Sequence, residues 1–314
     1  MSSFLVIWVN IMFDIVGDIH GQAIKLKQLL AKLGYRQSDQ GYYHPEYKMI
    51  FVGDLIDRGN YQIETLQLVK DMVDNQNGYV IMGNHEFNAI GWITPDPKHP
   101  SQFMRKHNTV HHKQHHIFLQ QLGENSQQHE YWINWFKMLP LFLEFDQIRV
   151  IHACWDNNII RSIQPYLDDQ HRLLTSSIVD AFNKQNPLFD YCEILLKGKE
   201  ITLPDGVYYF DKEGTKRHKS RVKWWLEQAN TFNELCLIPD EEKNIALEHT
   251  VDVKFDEYTD SKPVFFGHYW LTGQPAIQTS KLACVDYSAA LPQGKLVAYR
   301  WQGESLLTNA HFIF

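Results

Sequence analysis

Asp18, His20, Asp54, Asn84, His152 and His268 each follow a short apolar run, with Asp57, Arg58 and His85 close beside them. Together they offer carboxylate, imidazole and amide donors without thiolate. Such a mixed N/O set suits Mn, Fe, Zn and similar ions rather than an iron–sulfur cluster. It exceeds what one four-coordinate zinc with an open position needs, and matches two ions that share a bridging carboxylate. Ions paired roughly 3.5–4 Å apart serve phosphoryl transfer to water. The plainer reading is turn chemistry, because Asp and Asn commonly end strands and start helices. Recurrence at successive strand ends weighs against that reading.

The elements that must position these residues are legible from periodicity. Residues 12–17 (MFDIVG) predict a buried strand leading through Asp18, His20 and Gly21 into a helix with apolar positions at Ile24, Leu26, Leu29, Leu30 and Leu33, closed by Gly34. The unit recurs: residues 49–53 end at Asp54 before a helical pattern over 61–73, and 79–83 end at Asn84 and His85. Strands alternating with helices predict a βαβαβ core with a parallel sheet, whose function gathers at the carboxyl ends of the strands. Residues 141–145 and 147–151 resume the strand pattern before His152, and 264–267 before His268. The tail KLACVDYSAALPQGKLVAYRW predicts two strands joined at Pro292–Gly294 in an antiparallel meander.

Two stretches interrupt this scheme. Residues 92–138 read as a mostly helical insertion with a loop at TPDPKHP. Its HHKQHH segment (His111–His116) predicts a solvated helix, an extra metal site being the rival reading because His at i and i+4 share a face. Residues 156–262 hold helical pieces, a hairpin-like DGVYYFDKEG (Asp205–Gly214) and an aromatic RVKWWLEQA. Trp132, Trp135, Trp224 and Trp225 read as core of these insertions, with substrate stacking as the alternative. Glu86 reads as a helix N-terminal carboxylate rather than a catalyst.

The 314 residues carry 30 Lys plus Arg against 37 Asp plus Glu, a net charge of −7. This balance excludes a protein that grips nucleic acid mainly through a basic surface, although Lys212, Lys216, Arg217, Lys219, Arg221 and Lys223 form a local basic cluster. Cys154, Cys192, Cys236 and Cys284 are too few and scattered for a disulfide scaffold or a CxxC zinc site, so reduced thiols in a cytoplasm are expected. None stands in an Arg-rich phosphate loop, and Cys154 reads as a small buried hydrophobe. The apolar run Phe4–Phe13 is too short to span a bilayer and lacks a basic flank. Residues 1–11 are expected to be an extension, the functional chain beginning near Met12.

G-D-I-H-G (17–21), G-D-L-I-D-R-G (53–59), G-N-H-E (83–86), I-H-A (151–153) and F-G-H (266–268), in that order, resemble the successive motifs of calcineurin-like metallophosphoesterases. The closest resemblance is to the branch holding phosphoprotein phosphatases and symmetrical diadenosine tetraphosphate hydrolases. It covers residues 12–90, about 139–155 and 263–301, and not the insertions. The resemblance implies a four-layer αββα sandwich of two mixed sheets, one domain over 12–314, with the insertions shaping the substrate entrance. It implies that Asp18 and His20 bind a first metal, that Asp54 bridges, and that Asn84, His152 and His268 bind a second. It further implies that a hydroxide between the ions attacks phosphorus in line, Arg58 holds phosphate oxygens, His85 protonates the leaving oxygen and Asp57 orients His85.

Departures from the family pattern sharpen the expectation. Many relatives end the last motif as GHxH, whereas here Trp270 takes the place of the second His. This favours the phosphatase and tetraphosphatase branch over nucleases. Tyr287 and Ser288 replace the usual Thr-Gly of the tail, and Ala153-Cys154 the usual Gly-Gly. A second phosphate-binding arginine is expected between His152 and His268, with Arg221 the candidate and Arg217 and Arg161 behind it. The expectation is therefore a phosphomonoesterase of the protein-phosphatase type using two divalent ions, manganese first and iron, zinc, nickel or cobalt as alternatives. The rival enzyme is a symmetrical dinucleoside tetraphosphate hydrolase, and the rival outside enzymes is a catalytically silent scaffold. The expected partner is a phosphorylated protein, small phosphoester or nucleotide, without membrane or stable nucleic-acid partner.

Overall fold

The computed structural model describes residues 12–210, 214, 216–226, 228–239, 242, 248, 250–251 and 258–314, so the expected extension at 1–11 and Lys212 lie outside it. The three βα repeats form as the periodicity predicts. Strand β1 (Met12–Val16) runs parallel to β2 (Tyr47–Phe51), and β2 parallel to β3 (Gly78–Val80). Helices α1 (Ala23–Leu33) and α2 (Gln62–Asp74) connect them, and α3 (Asn84–Ile93) begins at the ligand-type residues after β3. The first insertion contributes α4 (Thr109–Leu122) and α5 (Gln127–Phe136). Where TPDPKHP predicts a loop, Pro95–Asp96 pairs with His99–Phe103 as a hairpin.

A second sheet holds β4 (Phe142–Glu144), β5 (Arg149–Ile151), β6 (Val264–Phe266) and β7 (Leu282–Cys284), with β5, β6 and β7 parallel. The first sheet is completed by β8 (Ala298–Trp301) beside β1 and by β9 (Phe312–Ile313), both antiparallel. Because side chains alternate along a strand, each sheet feeds two cores. Phe13, Ile15, Ile50 and Val52 meet Val150, Phe265 and Ala283 between the sheets. Val16, Met49 and Phe51 join Leu26, Leu30, Leu66 and Val69 of α1 and α2 in an outer cluster, as do Ile151, Phe266 and Cys284 with Leu188, Leu195 and Trp224. The result is the αββα sandwich of two mixed sheets.

The tail departs from the expected meander. β7 lies in the second sheet, Asp286–Tyr287 pairs with Lys295–Leu296, and β8 lies in the first sheet, so the chain crosses between sheets here. Residues 282–289 are buried throughout, and without an exposed face the alternation that assigns a strand to a sheet is lost. The hairpin expected over 205–214 is displaced: Tyr209–Phe210 pairs with Lys216–Arg217. Trp132, Trp135, Trp224 and Trp225 are buried, as core residues of the insertions should be. Among the described residues no helix is long and apolar enough to cross a membrane.

Candidate metal centre

The two sheets are stitched together at the carboxyl ends of their parallel strands. His152 after β5 donates through Nδ1 to Val52 O, just past β2 of the first sheet, at 2.7 Å, and within the second sheet Gly267 after β6 donates to His152 O at 2.8 Å. Asp54 stands at the junction: its Oδ1 lies 3.4 Å from His152 Nε2, and its Oδ2 lies 3.7 Å from His20 Nε2 and 3.9 Å from His85 Nε2. Two buried triads share it, His20–Asp54–His85 and Asp54–His152–His268, each with donor atoms within 4.8 Å of one another. Asn84 Oδ1 is 3.2 Å from His152 Nε2. Asp18 falls outside both triads; its carboxylate accepts the His268 N–H at 3.1 Å and lies near Asp54 and Asp286.

The donor chemistry fits two divalent cations. His20 Nδ1 donates to Ile56 O at 2.8 Å and His152 Nδ1 to Val52 O, so the neutral form of each ring turns its Nε2 lone pair toward Asp54. Burial opposes charging His152, yet Asp54 raises it, favouring its charged form until a cation takes the proton's place. His20 Nε2, Asp54 Oδ2 and both ring nitrogens of His268 are buried without a hydrogen-bond partner. Leaving such an atom unsatisfied costs ~1–3 kcal/mol, which a coordinated cation offsets. Burial, with the charges of Arg58 and His85, holds His20 well below the imidazole range, and burial with Arg221 and His152 does the same to His268. Burial opposes ionisation of Asp54, yet His152 and His85 beside it hold it well below the usual carboxylate range. Burial and the neighbouring Asp286 and Asp54 push Asp18 well up, so a cation there would relieve a crowd of carboxylates. Neutral imidazole and ionised carboxylate are the forms that ligate.

Local backbone geometry supports this convergence. His20, Asp54, Asp57, Arg58, His268 and Trp270 all have left-handed φ between 48° and 72°, a conformation L side chains adopt uncommonly and here six times around one centre. A Cβ on Gly83 would sit 2.3 Å from Asp54 Oδ1, and one on Gly267 2.1 Å from Asp18 Oδ1, so both glycines admit a carboxylate no other residue would. Glu86 occupies the first turn of α3 as expected, but it is fully buried and accepts from the N–H groups of Asp54 and Leu55 at 2.8 Å each. Burial and the Asp54 charge push it up to about 7.

His85 of the first triad is also paired with a second carboxylate. His85 Nδ1 lies 2.5 Å from Asp57 Oδ2. Burial would raise Asp57, but His115 and His85 hold it well below the usual carboxylate range. The Arg58 guanidinium stacks on the Trp270 ring at 3.4 Å, so the residue that replaces a histidine serves as a platform for an arginine. Arg58, His85, Asn84 and His268 line a cavity of about 1060 Å³, and Arg217 and Arg221 stand on its wall. Arg221 Nε is fixed by Lys197 O at 3.0 Å. Arg161 bonds Asn158 on its own helix (Asn157–Ile163) and does not line the cavity.

Sequence reasoning missed four contributors: Asp286, Arg105, Glu86 as a loop brace, and His115. Arg105 lines the cavity from the first insertion, and Asp286 accepts the Trp270 N–H at 2.7 Å. His115 corrects the expectation of a solvated His111–His116 segment: it is 1% exposed, and its Nδ1 lies 2.7 Å from Asp57 Oδ1. The signal was present, since 115, 118, 119 and 122 share one helix face and the other three are Phe, Leu and Leu.

Cys154 is buried, and burial pushes its thiol up to about 12. All four cysteines are free and buried. Iodoacetamide at neutral pH should therefore label no thiol in the folded protein and leave turnover unchanged. Inactivation that tracks labelling of Cys154 would contradict this.

Comparison with known proteins follows the same lines. The family model described as calcineurin-like phosphoesterase matches residues 11–270. An asymmetrical bis(5'-nucleosyl)-tetraphosphatase of Oceanobacillus iheyensis is 33% identical over 141 residues, 45% of this chain and 54% of that protein. One of Halalkalibacterium halodurans is 45% identical over 74 residues, 23% of this chain and 30% of that protein. The chain thus spans about half or less of the length of these curated relatives. A mutant cold-active protein tyrosine phosphatase of known structure superposes with a TM-score of 0.50 at 14% identity, over 93% of this chain and 78% of that one, a likeness of fold.

Proposed function

The chain belongs to the calcineurin-like phosphoesterase family, and on that premise we propose that it is a metal-dependent phosphoester hydrolase acting at the Asp54 centre. The observation that carries this reading is one carboxylate shared by two buried donor triads, with the His85–Asp57 pair at its side. Asp18, His20 and Asp54 would hold one ion, and Asp54, Asn84, His152 and His268 the other, manganese being the proposed pair. Two such ions supply Lewis-acid polarisation of the phosphoryl group and a more acidic water.

The chain's own residues do the rest. Arg58 holds non-bridging phosphate oxygens with its planar fork, and Arg221 is the second anchor. Water oxygen forms the new P–O bond in line as the ester P–O bond breaks and its electron pair leaves on the departing oxygen. That oxygen takes the proton of His85 Nε2, and the proton released from water restores the imidazole. Asp57, accepting at Nδ1, keeps Nε2 aimed at the leaving group.

For the substrate, a phosphomonoester of the protein-phosphatase type uses this machinery directly. A second reading, a dinucleoside polyphosphate, is favoured by the cavity wall, where Arg58, Arg105, Lys106, Arg217, Arg221 and Lys223 gather in a chain of net charge −7. The activity named for the curated relatives points the same way. We also infer a single domain whose two insertions wall the substrate entrance, in a reducing cytoplasm that suits four unpaired thiols.

The test is hydrolysis by the Mn-loaded protein of p-nitrophenyl phosphate, phosphopeptides and diadenosine tetraphosphate. On the second reading kcat/KM for the dinucleotide exceeds that for phosphopeptides by about tenfold, the worth of one added favourable contact of about 1.4 kcal/mol, whereas the first reading puts phosphopeptides level or ahead. Equal or faster phosphopeptide turnover would remove the second reading and leave the first. Two ADP would match the symmetrical cleavage expected from sequence, and AMP with ATP the asymmetrical activity named for the relatives. No hydrolysis of any substrate with two ions bound would contradict both readings in favour of a silent scaffold.

A further inference from the structure

We propose that His115, carried in on the inserted helix α4, is a positioning residue for the reaction: it fixes the far oxygen of Asp57, and through Asp57 the aim of His85. The inference rests on the reading of His85 as proton donor to the leaving oxygen.

The geometry is a three-membered line. His85 Nδ1 meets Asp57 Oδ2 at 2.5 Å, and His115 Nδ1 meets Asp57 Oδ1 at 2.7 Å, so the carboxylate is held at both oxygens. The ionised Asp57 carboxylate has no proton to give, so both imidazoles donate to it. His115 Nε2 is buried without a hydrogen-bond partner, which leaves the Asp57 contact as the one bond this ring is committed to. The ring plane is set by Phe118, stacked with centroids 4.8 Å apart, and by Trp92 at 5.7 Å. An apolar side chain would fill this face without leaving a buried nitrogen unsatisfied, so packing alone does not explain a histidine here.

The same helix grips the loop a second time. Gln121 accepts from Gln62 N at 2.9 Å and donates to Asn60 O at 2.6 Å, while Gln62 in turn accepts the Asp57 N–H at 2.8 Å. Asp57 and Arg58 stand at φ 68° and 67°, so the loop adopts a conformation its own residues disfavour and needs bracing from outside. Helix α4 braces the Asp57 side chain directly through His115, and the Asp57 backbone through Gln121 and Gln62.

Phenyl phosphate and p-nitrophenyl phosphate separate this role from a merely structural one. Nitrophenolate departs readily without a proton, whereas phenolate depends on the donor. In the Mn-loaded full-length protein, His115→Leu should slow phenyl phosphate turnover by about 10–100-fold, the range for loss of a supporting partner, and p-nitrophenyl phosphate by under about threefold. His115→Asn, whose amide nitrogen falls where Nδ1 sits, should recover most of the loss, while His115→Gln, which reaches the Nε2 position, should not. Imidazole ¹⁵N spectra should show the His85 Nδ1 proton resonance moved in the Leu variant and restored in the Asn variant. His85→Asn, measured alongside, should show the same dependence on leaving group more strongly. If His85→Asn is selective and His115→Leu slows both substrates alike, or if Asn fails to recover, this inference falls alone. If His85→Asn shows no selectivity, the proton-donor reading falls and this inference with it. Should the Leu variant not fold, the Asn–Gln contrast decides.

Discussion

Asp54→Asn should cost the protein at least one of its two ions and reduce turnover by about 10³–10⁵-fold, the equivalent of several kcal/mol of transition-state charge stabilisation. The substitution is nearly isosteric and keeps Oδ1, which accepts the His85 N–H at 2.9 Å, so the helix start that depends on it remains. What it removes is the charge at Oδ2, the buried oxygen without a hydrogen-bond partner that faces His20 and His85. The effect therefore separates ligation from folding. Metal analysis of the purified variant, beside its circular dichroism, checks the claim. A variant that keeps two ions and native turnover would show that Asp54 is not the shared ligand.

His85→Asn should lower phenyl phosphate turnover by about 10²–10⁴-fold, the usual worth of a positioned proton donor, with both ions still bound. The distinction matters because His85 also belongs to one of the donor triads, with His20 and Asp54. A hydrogen bond of 2.5 Å to Asp57 argues for the donor role, since it fixes the ring and its tautomer in the manner of a triad carboxylate. Were His85 a ligand instead, the variant would lose metal along with activity. Metal content per chain after gel filtration therefore discriminates the two, and a variant with one ion would assign His85 to the metal.

Where the candidate ligands follow a regular βα repeat, their placement is readable from sequence. Asp18, Asp54 and Asn84 come within a few residues of strands whose apolar runs and following helices are unambiguous, and the loops beyond β5 and β6 deliver His152 and His268 in the same way. The aromatic pairs of the insertions also behave as their composition suggests. What escaped the sequence is tertiary in origin. His115 was masked by its polar neighbours in HHKQHH, although its helical spacing to Phe118 and Leu122 marked it as inward facing. Arg105 and Asp57 are 48 residues apart and come within electrostatic reach only because the insertion folds back across the site. Asp286 was hidden by a tail buried on both faces, in which nothing indicated that successive strands belong to different sheets.

The central claim is that this chain hydrolyses phosphoesters with two ions joined by Asp54. It is tested most directly by stripping the protein with chelator and adding Mn back while turnover and bound metal are read together. The account predicts no turnover in the stripped protein, little with the first equivalent, and full turnover only as the second binds. Full turnover with one ion per chain, or turnover that survives chelation, would contradict it.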